Sequence, residues 1–259
     1  MTVSPYKIVI ALLLAVSLSG CGGSGVTELR QADYYFGQGM KDLERGRCTE
    51  AIEHLQRVVS NFPGSTIVAE AQFHLAEAHF CTKDYVTAAF EYQRVLDVYS
   101  SSEWVERAQF NLGECYFKQL RRPELDQKET YEALTYFRQF IEDNPSSSLS
   151  EEARQRVRDC RGRLAKKEFL NADLYLKQGF TDSAELTFKQ VLRNFSDTPI
   201  WYYSALARLG DIAFERDDHK LARSYWDEAL SSGEVDEHLE DRIRKKIEQL
   251  TAPKPSQGS

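Results

Sequence analysis

The sequence predicts an all-α fold: an α-solenoid of about five helix-turn-helix units with one long connecting helix. Three observations predict it. Residues 71–80 match residues 108–117 at six of ten positions, an offset of 37, and a period of that size marks stacked helical repeats. A small residue in a first helix is followed twelve positions later by alanine in a second: Gly39 and Ala51, Ala76 and Ala88, Ala172 and Ala184, Gly210 and Ala222. Four positions beyond the alanine of each unit stands a large apolar residue, namely Leu55, Tyr92, Phe137, Phe188 and Trp226.

Composition sets the class. The 259 residues carry 33 basic and 40 acidic side chains, a net charge of −7, with 42% apolar residues. No cationic excess is available to displace counterions from a phosphate backbone, so nucleic acid is excluded as a partner.

Residues 1–20 form a signal peptide. Lys7 precedes a nine-residue apolar run, residues 8–16, too short for the roughly 20 residues of a spanning helix. Leu18-Ser19-Gly20-Cys21 then resembles the lipobox of bacterial lipoproteins, in which the cysteine is diacylated and becomes the new N-terminus. With Gly22 rather than aspartate after Cys21, that resemblance implies sorting to the outer membrane, with the domain on its periplasmic face. Residues 21–30 are expected to form a lipidated flexible tether.

Residues 31–147 hold repeats one to three. The third is stretched, since Gly113 and Ala133 stand twenty residues apart. Pro63 and Pro145 end two of the second helices, and Ser100 and Ser196 occupy the corresponding places elsewhere. Small residues at both repeat positions let two helices approach closely. This pattern resembles the tetratricopeptide repeat.

Residues 148–178 are expected to form a long helix leading into repeat four, with Ser148 and Glu151 as a capping box, joining two rigid halves. Residues 179–233 complete repeats four and five. Residues 234–259 supply a charged capping helix, acidic at its start and basic beyond, followed by a disordered tail.

Apart from Cys21, the cysteines are Cys48, Cys81, Cys115 and Cys160, with no zinc-ligand spacing. Each fits a small buried apolar residue. Cys48 and Cys81, beside the turns of successive repeats, are also the pair placed for a disulfide.

Nucleotide-binding loops, the nucleophile elbow and the H-E-x-x-H motif are all missing, and no metal or cofactor is implied. The sequence predicts a non-enzyme. A solenoid offers binding surfaces instead. One face of the first helices carries Phe36, Met40 and Leu43, then Phe73, Glu77 and Phe80, then Phe110, Glu114 and Phe117, with Phe36, Phe73 and Phe110 spaced 37 apart. Two roles fit these aromatics: inter-repeat core, or a groove for an extended peptide with an aromatic anchor. The fifth unit has Ala207, Asp211 and Phe214 there. A run of cations on the long helix, Arg154, Arg156, Arg158, Arg161, Arg163, Lys166 and Lys167, suits either a solvated face or an acidic partner.

The lipobox at Cys21, the stretched residues 130–140 with 144–147, and residues 163–169 leading through Tyr175 and Gly179 to 191–198 together resemble the BamD family of outer-membrane assembly lipoproteins. That resemblance implies a scaffold of the β-barrel assembly (BAM) complex. It implies as partners a BamA-like barrel protein, held by the C-terminal repeats, other assembly lipoproteins, and unfolded outer-membrane proteins whose C-terminal targeting strand ends in an aromatic residue. Phe36, Met40, Phe73, Glu77, Phe80, Phe110, Glu114 and Phe117 are the residues expected to receive that strand. Arg154, Arg158, Arg161, Lys166, Asp211 and Phe214 are those expected at the docking surface. Tyr34-Tyr35 and the plain character of the first two units also resemble the periplasmic repeat proteins of the Tol-Pal division system, and a lipoprotein adaptor for a protease is a further alternative.

Overall fold

A computed structural model of the chain describes residues 24–231, 233 and 237–251. Among these residues the elements are eleven helices and no strands. They are α1 (Ser24–Glu44), α2 (Cys48–Asn61), α3 (Val68–Cys81), α4 (Tyr85–Val98), α5 (Val105–Phe117) and α6 (Lys128–Asp143), then α7 (Ser150–Lys177), α8 (Thr181–Asn194), α9 (Pro199–Glu215), α10 (His219–Ser231) and α11 (Glu237–Thr251). The fold is the tetratricopeptide-type helical repeat. The signal peptide, the lipobox with Cys21, and residues 252–259 lie outside the described residues.

Two kinds of turn repeat through the chain. Within pairs, the second residue after the first helix adopts a left-handed backbone: Gly46 (φ 70°), Lys83 (φ 63°), Gly179 (φ 83°) and Asp217 (φ 58°). The amide one residue later bonds back to the helix, as from Asp84 to His79 O (3.0 Å) and from Asp218 to Ala213 O (3.0 Å). Between pairs, a Ser or Thr amide bonds back to the residue capping the second helix: Ser65 to Phe62 O, Ser102 to Tyr99 O, Ser147 to Asn144 O and Thr198 to Phe195 O. Because the same turn forms with Ser100 and Ser196 as with Pro63 and Pro145, the stop rests on these backbone bonds rather than on proline.

The large residues of the second helices fill the space between helices. Leu55, Phe137, Phe188 and Trp226 and the five repeat alanines are fully buried, and Tyr92 nearly so. The close approach runs through them: a methyl group built on Gly39 would lie 2.7 Å from Leu55 Cγ, and one on Gly210 would overlap the Trp226 indole. The small residue of the first helix therefore makes room for the large residue sixteen positions on.

The chain divides into two compact units, one ending at Cys115 and the other beginning at Tyr116. The division falls within α5, in the third repeat, and α7 lies wholly inside the second unit rather than between two halves. The reason is that α7 is fastened along its length to its neighbours in that unit. Lys167 Nζ donates to Leu125 O (2.8 Å), Arg163 to Arg121 O, and Arg161 Nη2 to Asn194 O (2.7 Å).

Two local expectations are corrected. The expected tether is helical from Ser24, since no glycine or proline stands between Gly25 and Gly37. The capping box at Ser148 does not form: Leu149 precedes the first turn, Ser147 Oγ accepts its amide at 3.1 Å, and Ser150 Oγ donates to Asn144 O at 2.6 Å. The eight extra residues of the third repeat form a loop closed by buried Gln127, whose amide donates to Arg122 O (2.8 Å) and Leu125 O (3.1 Å) and whose Oε1 accepts from Thr130 (2.7 Å).

Candidate binding surfaces

The first unit gathers its aromatic residues around a histidine. His74, buried on α3, has Nδ1 2.7 Å from Glu77 Oε2 and Nε2 3.9 Å from Glu70 Oε1. Its ring packs on Phe36 of α1 (6.1 Å), Phe73 (5.3 Å) and Trp104 (5.0 Å), which immediately precedes α5. Trp104 stacks on Phe73 at 4.7 Å, and the Arg107 guanidinium lies over both rings at 5.4–5.7 Å. Half-buried Phe36 and Trp104, with Glu77 and exposed Arg107, make a shelf that offers ring faces between a carboxylate and a cation.

The 37-residue stripe is not continuous on the surface. Phe73 is fully buried and Phe110 and Glu114 are buried, because rings one repeat apart meet the second helix of their own pair: Phe73 packs on Tyr92 at 5.6 Å. Phe36, Met40, Glu77 and Phe80 are half-buried, Phe80 edge-on to Tyr85 at 5.1 Å. Phe117 belongs to the second unit, between Phe137 and the Arg156 guanidinium. Sequence reasoning missed His74, Trp104 and Arg107. The signal was present in the offset, since His74 replaces the Asn111 of the next repeat and Trp104 stands where the previous one has Ile67.

Cys48, at the start of α2, and Cys81, at the end of α3, are disulfide-bonded with Cα atoms 6.1 Å apart, tying repeat one to repeat two. Cys115 and Cys160 are buried. Burial, with Glu114 nearby, pushes the Cys115 thiol up to about 12, so it stays protonated and unreactive at neutral pH. Burial also raises the Tyr92 hydroxyl above its ordinary value, and Glu77 adds to that, so it remains a neutral acceptor for Asn111 Nδ2 at 3.1 Å.

In the second unit the cationic run on α7 splits by role. Arg161 makes a two-pronged pair with Asp197 and lies over Phe195, and Lys166 sits 5.5 Å from the Trp201 ring. Arg163 and Lys167 hold the 118–127 loop. These side chains fasten the unit together. Arg154 and Arg158 instead remain outward, their side chains 44% and 51% exposed. Asp211 is buried, with Lys246 Nζ at 2.7 Å, Arg242 at 3.6 Å and Arg208 at 3.8 Å, so it joins α9 to the capping helix rather than facing a partner. Half-buried Phe214 packs on Trp226 at 5.7 Å. Of the six residues expected at the docking surface, two therefore face outward free of a fastening role to a neighbouring helix.

Residues 29–223 match the family described as YfiO, outer membrane lipoprotein. The chain belongs to this family. Among curated relatives, an outer membrane protein assembly factor BamD of Caulobacter vibrioides is 27% identical over 199 residues, 75% of this chain and 65% of that protein. The chain thus spans just under two thirds of that relative's length. The BamD of Pasteurella multocida is 24% identical over 200 residues, 73% of this chain and 77% of its own. Among solved structures, the TPR2AB domain of yeast Sti1 in its pHSP90 complex overlaps with a TM-score of 0.44 at 12% identity, covering 77% of this chain and 76% of that one.

Proposed function

We propose that the chain is a non-catalytic outer-membrane lipoprotein scaffold of the β-barrel assembly complex, anchored by lipid on Cys21 with its repeats on the periplasmic face. Its first unit receives the C-terminal targeting segment of unfolded outer-membrane proteins, and its second unit holds the BamA-like barrel subunit. Membership of the outer-membrane lipoprotein family and the assembly-factor name of both relatives support the setting.

The observation that carries the substrate half is the shelf of Phe36, His74 and Trp104. An incoming terminal aromatic ring stacks on Trp104 and Phe36, as offset or edge-on aromatic pairs do. Arg107, already held over the shelf at 5.4–5.7 Å, donates to the terminal carboxylate in a charge-assisted pair. Buried Phe73 and Phe110 support the shelf from beneath rather than touch the segment.

The test is fluorescence anisotropy with a labelled outer-membrane-protein peptide ending in phenylalanine. Binding that weakens for Trp104→Ala and for a C-terminally amidated peptide supports the shelf. Unchanged binding in both contradicts it.

A further inference from the structure

A groove between α6 and α7 in the second unit includes both outward-facing arginines, Arg154 and Arg158. Its cavity of about 360 Å³ is lined by Arg138, Ile141 and Glu142 from α6 and by Arg154, Val157 and Arg158 from α7. Arg154, Val157 and Arg158 fall on one helical face, and Arg138 and Ile141 do so opposite them. Half-buried Ile141 and Val157 form an aliphatic floor, and three exposed guanidiniums stand around it.

We infer that this groove docks an acidic segment of a partner protein, which places an aliphatic or aromatic side chain between Ile141 and Val157 and its carboxylates on Arg138, Arg154 and Arg158. Three observations carry the inference. The chain has a net charge of −7, so three arginines at one groove run against its overall charge and draw an acidic partner where the rest repels it. Second, the neighbouring cations on α7 are fastened inward, Arg156 over Phe117 at 4.7 Å and Arg161 to Asp197, whereas Arg154 and Arg158 are held on their own helix. Arg158 reaches Gln155 Oε1 (2.6 Å) and Glu151 Oε1 (3.1 Å), and Arg154 reaches Glu151 Oε2 (3.8 Å). Because the Glu151 side chain is itself 74% exposed, an incoming carboxylate exchanges for it at little cost.

Third, the side chains are arginines beside an apolar floor. Guanidinium is weakly hydrated, pairs with carboxylates in two-pronged fashion and is enriched at the centres of protein interfaces. A membrane surface fits less well, since Glu142 on the rim and Glu151 beside it repel a sheet of phosphates, while a single segment passes between them. The inference rests on the reading of the second unit as the docking unit and adds to it a specific groove and a partner chemistry.

The test places photoreactive benzoylphenylalanine at Val157 of the full-length lipidated protein in its own envelope, with the crosslinked product sequenced by mass spectrometry. The expected product is a protein segment with acidic residues on both sides of an apolar one. It should fall at least tenfold in the Arg138→Glu, Arg158→Glu double variant and return when those acidic residues are changed to lysine. A crosslink to phospholipid or lipopolysaccharide, a protein crosslink that survives charge reversal, or no crosslink at all would overturn the inference. The parallel Arg138→Gln, Arg158→Gln variant guards against a folding defect, and it too must weaken the crosslink. Recovery of the barrel protein from the same membranes decides the assembly reading separately.

Discussion

The Trp226 indole closes on Gly210 of the preceding helix so tightly that no methyl group fits between them, while its Nε1 donates to Ala207 O at 3.2 Å. Gly210→Ala is therefore expected to destabilise the second unit by about 1–3 kcal/mol through overpacking. Gly37 and Gly162 are helical with open space around them, and alanine there should stabilise by about 0.5–1 kcal/mol. Denaturant midpoints of the three variants separate close packing from general helix propensity.

Lys83 holds a left-handed backbone at φ 63°, where a side chain with a Cβ is strained. Lys83→Gly should raise stability by about 1 kcal/mol, read as a higher melting temperature. Lys83→Val should lower it.

The Cys48–Cys81 bridge closes a loop with a sequence separation of 33. By loop-closure entropy its loss should cost about 3–4 kcal/mol. Thermal unfolding with and without reductant measures this, and the Cys48→Ser, Cys81→Ser double variant should be insensitive to reductant.

Hydrogen bonds from Arg161 hold the Asp197 carboxyl below its ordinary value of 3.8. A lowered carboxyl contributes stability that is present above the unfolded value and lost as pH falls through the folded one. Arg161→Met should thus cost about 1 kcal/mol at pH 7, a figure kept small because Asp197 is half exposed, and the gap from the parent should close below pH 3.8. Urea unfolding at both pH values gives the comparison.

Phe73→Ala and Phe110→Ala should each destabilise the first unit by about 3–5 kcal/mol, as expected of buried rings. Trp104→Ala should leave the fold intact and weaken a peptide ending in phenylalanine by about tenfold, an effect on the order of one aromatic pair. Calorimetry and anisotropy on the same variants separate core from contact.

Repeat architecture was legible because four of the five pairs repeat the same demand: a small residue, a large one sixteen positions on, and a turn. Gly39 with Leu55 and Gly210 with Trp226 follow directly from that spacing. Which face of a first helix meets solvent was not legible, because a ring at a repeated position can turn toward its own pair, as Phe73 does toward Tyr92. The roles of Arg161 and Lys166 were hidden for a related reason. Their partners Asp197 and Trp201 lie more than thirty residues along the chain, and charge pattern within one helix carries no record of them. Trp104 escaped notice because it precedes its helix, outside the periodic positions.

The most direct measurement is a mild-detergent pull-down of the full-length protein from its own envelope. The account predicts recovery of a large outer-membrane barrel protein with periplasmic domains, lost when Cys21→Ala removes the proposed anchor site. Recovery of Tol-Pal or peptidoglycan-processing proteins without the barrel protein would contradict it.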